Sequence, residues 1–152
     1  MIHNLKYRGH EEIGTVIGYW YAEELKYLPQ LKTINEIIPV PLHKKRLRER
    51  GYNQVTGFAK ALSESLCIFY RDNLLIRNIY SKTQTKKNLS KRTEVGNLSV
   101  FDVVYNEHDH NKHFLLIDDV LTTGSTLEAC ACALLKIPNA KVSIVCIAMS
   151  HS

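Results

Sequence analysis

The chain has 152 residues, 45% hydrophobic and 23% charged, a balance that suits a single globular domain over 1–152 and excludes disorder as its main state. Twenty Lys and Arg against fifteen Asp and Glu leave a formal charge of +5, so anionic partners are expected, either phosphorylated metabolites or nucleic acid. No apolar run approaches the roughly 18 residues that cross a bilayer, and Met1-Ile2-His3-Asn4-Leu5-Lys6-Tyr7-Arg8 lacks a signal peptide's apolar stretch, so membrane insertion is excluded and a cytoplasmic location is expected.

In chain order, Ile13, Val16, Ile17, Trp20, Tyr21, Leu25 and Leu28 recur at helical spacing and predict a helix over 11–28, closed by Pro29. Tyr19, Trp20 and Tyr21 are expected in its core and rim. A short β-branched run predicts a strand over 34–40, followed by the basic loop Leu42-His43-Lys44-Lys45-Arg46. Helical period returns over 53–67 with Asn53 as N-cap, then a strand over 74–77. The stretch 78–97 is polar, basic and nearly without apolar residues, and its length suggests a flexible lid.

Strands are predicted over 100–105 and 114–117, the latter apolar throughout as a central parallel strand should be. Between them Glu107, His108, Asp109, His110 and His113 read as a polar connection in preference to a metal site. A helix over 125–136 and a strand over 142–148 complete the chain. The fold class is therefore α/β, a mostly parallel central sheet flanked by helices. Cys67, Cys130, Cys132 and Cys146 form no C-x-x-C pair and read as reduced core residues.

The chemistry concentrates where the strand over 114–117 ends. Ligands of open α/β sheets bind beyond the carboxyl ends of strands, and here the strand runs into Asp118-Asp119-Val120-Leu121-Thr122-Thr123-Gly124-Ser125-Thr126. Thr122, Thr123, Ser125 and Thr126 offer hydroxyls, Gly124 allows close backbone approach, and the helix start adds N–H groups, which together make a phosphate cradle. Acids beside a phosphate need hydroxyls to bind or a cation to neutralise, and ribose hydroxyls with Mg2+ nearby meet that need. Neither a P-loop nor a G-x-G-x-x-G motif is present, so the cradle points to a sugar phosphate.

The thirteen residues Phe114–Thr126 resemble the signature of type I phosphoribosyltransferases, which bind phosphoribosyl pyrophosphate (PRPP) with Mg2+. With Leu5-Lys6-Tyr7-Arg8-Gly9, Pro39-Val40-Pro41-Leu42-His43, Arg48-Glu49-Arg50-Gly51-Tyr52-Asn53-Gln54 and the spacing Arg77, Thr83-Gln84, Arg92, Asn97, Phe101, the chain is similar to the ComF family, associated with bacterial natural competence. The resemblance implies the type I phosphoribosyltransferase-like fold and Mg2+-dependent displacement of pyrophosphate at ribose C1, with the acceptor unspecified. It implies Asp118 and Asp119 as catalytic residues on the ribose hydroxyls, with Mg2+ carried by PRPP and one or other of these acids. Thr122, Thr123, Gly124, Ser125 and Thr126 would hold the 5-phosphate. Val40, Pro41, Leu42 and Arg46 would face pyrophosphate, and the lid would offer Gln84, Lys86, Lys87 and Arg92.

Such a lid suits the reaction, because loss of pyrophosphate leaves an oxocarbenium-like centre that water would capture. Purine-salvage members of the superfamily carry an acid where this chain has Thr122, which disfavours purine salvage. ComF proteins commonly carry a cysteine-rich zinc-binding arm ahead of the Leu-Lys-Tyr segment, whereas this sequence begins just before it. The alternative reading is a non-catalytic competence or DNA-uptake factor that binds single-stranded DNA or a DNA-processing protein through Lys44, Lys45 and Arg46. A PRPP-sensing regulatory domain is a third reading, and a homodimer is left open.

Overall fold

The computed structural model describes residues 11–42, 47–49, 51–53, 55–78 and 100–150. Helix α1 (Glu11–Leu25) leads through a 3-10 turn (Pro29–Thr33) into strand β1 (Glu36–Pro39), and helix α2 (Val55–Leu66) returns to strand β2 (Phe69–Tyr70). Strands β3 (Leu75–Arg77) and β4 (Phe101–Val103) follow, then β5 (His113–Leu121), α3 (Ser125–Leu134) and β6 (Lys141–Met149). Four strands form a parallel sheet in the order β2-β1-β5-β6, while β3 and β4 pair antiparallel by themselves.

Burial on both faces explains the unbroken apolar character of the central strands. Alternate residues of β1 and β5 enter two cores: Ile37, Leu115 and Ile117 pack with α1 and α2, whereas Ile38, Phe114 and Leu116 pack with α3 and the β3–β4 pair. Gly18 lets α1 lie close against α2, since a Cβ there would stand 2.6 Å from the Ala61 Cβ and 2.7 Å from the Phe58 carbonyl oxygen. Tyr21 meets Phe58 edge-on at 5.3 Å and donates its hydroxyl to the Ile147 carbonyl at 3.0 Å, tying α1 to β6.

Several sequence expectations change. The first helix ends at Leu25, and Pro29 opens a 3-10 turn, where its missing N–H costs nothing. The strand predicted over 74–77 joins β4 instead of the main sheet, and β2 is a strand that the sequence reading missed. β5 continues through both acids, because β6 stays paired with it as far as Leu121 and Met149. Trp20 is 71% exposed and Tyr19 is exposed too, so of the three aromatics only Tyr21 reaches the core. Cys67 and Cys132 are exposed, whereas Cys130 is buried and Cys146 half-buried; all four are free thiols.

Candidate functional site

The strand order reverses between β1 and β5. After β1 the chain crosses one face through α2 to β2, and after β5 it crosses the opposite face through α3 to β6. The carboxyl ends of β1 and β5 therefore diverge into loops on opposite faces and leave a crevice between them, the usual ligand position in open parallel sheets. One wall is the segment Val40-Pro41-Leu42, with Val40 buried and Pro41 and Leu42 half-buried. The other is the end of β5 with the turn into α3.

β5 pairs with β1 only as far as Ile117 opposite Pro39, whereas its pairing with β6 runs on to Leu121. Asp118 and Asp119 thus sit on a strand still held by β6 on one edge and open to the crevice on the other. Strand alternation turns Asp118 toward the α3 face, with Leu116, and Asp119 toward the α2 face, with Ile117. The Asp118 carboxylate accepts the Asp119 N–H at 2.8 Å. Burial, together with the Asp118 carboxylate, pushes the Cys130 thiol up to about 12. The same two influences, with a smaller one from Asp119, push Cys146 up to about 11. Both thiols stay protonated near neutrality and are inert neighbours of the acids.

Beyond Leu121 the turn is short and exposed. Gly124 has φ of +79°, a left-handed conformation that favours glycine, and it caps α3 without a side-chain bond. Its carbonyl accepts the Glu128 N–H at 2.9 Å, so α3 starts at once. The Thr123 and Ser125 hydroxyls lie 3.1 Å apart, and Thr122 and Thr126 are exposed beside them. The first-turn N–H groups of any helix lack intrahelical acceptors and carry the positive end of its dipole, so this turn can receive an oxyanion.

The pairing of β1 with β5 sets Val40 beside the end of β5, so that Pro41 and Leu42 lead off from one strand and Asp118, Asp119 and the turn Thr122–Thr126 continue the strand next to it. Arg46, with Lys44 and Lys45, lies outside the described residues, as do Gln84, Lys86, Lys87 and Arg92. The Asn78 N–H donates to the Val100 carbonyl at 2.9 Å, extending the β3–β4 pair that packs on α3. Two carboxylates at a strand end suit a hard cation that takes oxygen ligands. Among the described residues no group of three or more His, Cys, Asp or Glu is placed to hold a metal.

Asn53 is a residue whose full part the sequence reading missed. Its Oδ1 accepts the Val55 N–H at 3.4 Å at the start of α2, and its amide also donates to the Val40 carbonyl at 3.0 Å. Its place in the Arg-Glu-Arg-Gly-Tyr-Asn-Gln segment was the available signal. At the far end of the sheet, Glu36, Arg71, Asp109 and Lys112 form a largely buried ionic cluster, with Arg71 Nη1 2.5 Å from Asp109 and Lys112 Nζ 2.5 Å from Glu36. It lies at the amino ends of β1 and β5, away from the crevice.

No protein-family model matches the chain. Among curated proteins it is 36% identical to "Competence protein F" of Haemophilus influenzae over 72% of this chain and 48% of that one. It is 32% identical to "Competence protein ComFC" of Bacillus subtilis over 91% and 54%, and 30% identical to "DNA utilization protein YhgH" of Shigella flexneri over 97% and 65%. The chain therefore spans about half to two thirds of the length of these relatives. Among solved structures, a purine phosphoribosyltransferase from Pyrococcus horikoshii matches with TM-score 0.54 and 20% identity over 90% of this chain and 73% of that one. An adenine phosphoribosyltransferase from Leishmania donovani matches with TM-score 0.52 and 18% identity over 91% and 53%. These structural likenesses establish the fold.

Proposed function

Starting from a chain that is a relative of the ComF-type competence proteins and carries the phosphoribosyltransferase fold, we propose that it binds PRPP in the crevice between β1 and β5. The observation that supports this most is the coincidence of the strand-order reversal with the Asp118–Thr126 segment, since the fold's natural ligand position and the phosphate cradle fall at one place. In this reading Thr122, Thr123, Gly124, Ser125 and Thr126 take the 5-phosphate with the first-turn N–H groups of α3. Asp118 and Asp119 accept from the ribose hydroxyls, and Val40–Leu42 with Arg46 borders the pyrophosphate. Gln84, Lys86, Lys87 and Arg92, outside the described residues, are candidate pyrophosphate contacts by the family resemblance alone.

Asp118 or Asp119 together with PRPP oxygens would hold Mg2+, which when bound offsets the charge of the pyrophosphate. The proposed transfer breaks the bond from C1 to the pyrophosphate oxygen, forms one from C1 to an acceptor nitrogen whose proton passes to solvent, and releases pyrophosphate. The protein's own contribution is to fix the ribose between the acids and the phosphate turn and to keep water from C1.

Pyrophosphate release from PRPP and Mg2+ across a panel of bases and amines tests the transfer. The reading expects release with at least one acceptor and its loss by a hundredfold or more, on the order of 2.7 kcal/mol, in Asp118→Asn and Asp119→Asn. Release from none of them, with PRPP still bound, would reduce the role to binding. The names of these relatives favour a second reading, in which the chain handles single-stranded DNA or a DNA-processing protein. It expects DNA affinity that falls steeply with salt and is lost when Lys44, Lys45 and Arg46 become Ala.

A further inference from the structure

β1 and β5 run side by side as far as Pro39 and Ile117, and the Val40 N–H still donates to the Ile117 carbonyl at 2.8 Å. In a parallel ladder carried one step further, the Asp119 N–H would donate to the Val40 carbonyl. Instead the Val40 carbonyl accepts the Asn53 amide at 3.0 Å, and the Asp119 N–H donates to the Asp118 carboxylate at 2.8 Å. Two side chains replace the rung, and the strands part where the crevice begins. Asn53 does this while its Oδ1 accepts the Val55 N–H at 3.4 Å and its carbonyl accepts the Thr56 N–H at 3.0 Å, so one residue joins the start of α2 to the residue that follows β1.

We infer that Asn53 is a positioning residue for the pyrophosphate side of the crevice, holding the segment Val40–Leu42 at the point where it leaves the sheet. The role rests on the PRPP reading above. The Val40 carbonyl oxygen is an acceptor that would repel a pyrophosphate oxygen if it were left to face the ligand; engaged by the Asn53 amide, it is held toward α2. A side chain with an acceptor alone could cap the helix, but both bonds together need the donor and the acceptor of a carboxamide.

Calorimetric titration of pyrophosphate with Mg2+, and separately of ribose 5-phosphate, into the wild type, Asn53→Ser and Asn53→Ala tests this, with Tm measured for each. Serine keeps a neutral capping oxygen and loses the reach to Val40, whereas alanine loses both. Pyrophosphate affinity is expected to fall about three- to tenfold in both variants, with ribose 5-phosphate affinity held within about twofold and Tm lower in Asn53→Ala than in Asn53→Ser. Pyrophosphate affinity that follows Tm, wild-type-like in Asn53→Ser and weakened only in Asn53→Ala, makes Asn53 a helix cap alone and overturns the role. An equal loss for both ligands overturns it as well. A wild type that binds neither ligand overturns the PRPP reading and this role with it, an outcome distinct from a wild type that binds pyrophosphate no better than Asn53→Ser does.

Discussion

Asp109 is 1% exposed, and burial alone would raise its carboxyl pKa. Hydrogen bonds from Arg71, the Asn106 N–H and Lys112 outweigh burial and hold the pKa at about 2, below the ordinary 3.8. Between those values the unfolded chain binds more protons than the folded one, so the stabilisation is complete above the unfolded value and disappears as pH falls through the folded one. Acid unfolding should therefore show the stability gap between wild type and Asp109→Asn narrowing from pH 5 to pH 2; a gap constant over that range would contradict the assignment. Little of this was legible in the sequence: Asn106 and Lys112 lie within three residues of Asp109, but Arg71 is 38 residues away, and Lys112 also reaches Glu36 across 76. The stretch around Asp109 accordingly reads only as a polar connection. Asp118, Asp119 and the turn Thr122–Thr126 were legible because their meaning is local, an apolar strand meeting paired acids and hydroxyls within a dozen residues.

At the scale of elements, the close crossing of α1 on α2 depends on Gly18. A methyl group there would meet the Ala61 Cβ at 2.6 Å and the Phe58 carbonyl oxygen at 2.7 Å, and backbone yields less readily than a side chain. Gly18→Ala should cost about 1 to 3 kcal/mol in urea unfolding despite the better helix propensity of alanine. Adding Ala61→Gly should restore only part, since the Phe58 carbonyl remains; an unchanged midpoint in the single variant would contradict the close packing. The helices were legible because their apolar periodicity is long enough to count. β2 was not, for two residues after the left-handed Cys67 carry no period at all. The extension of β5 through its acids was hidden for another reason: polar residues persist in a strand when a neighbour such as β6 holds the backbone, and sequence does not report lateral neighbours.

At the scale of the whole molecule, an alternating order of strands and helices announces a parallel α/β sheet, and that much was legible. The lateral order β2-β1-β5-β6 was not, nor the separation of β3 and β4 into their own antiparallel pair. Yet that order unites the two halves of the candidate site, since Val40–Leu42 and Asp118–Thr126 lead off from strands that lie side by side only because β1 and β5 pair. The positive charge of the chain is consistent with a phosphate-rich ligand, and among the described residues no helix is long and apolar enough to cross a membrane.

The proposed PRPP pocket at the strand-order reversal should show itself in thermal unfolding with Mg2+ and PRPP, beside the same measurement on Asp118→Asn. At a hundredfold excess over Kd a ligand of the folded state adds about 2.7 kcal/mol, which for a chain of this size should raise Tm by roughly 5 to 10 °C. Binding in this pocket gives that rise in the wild type and a smaller one in Asp118→Asn. An unshifted Tm for the wild type with PRPP, ribose 5-phosphate and pyrophosphate alike would contradict it.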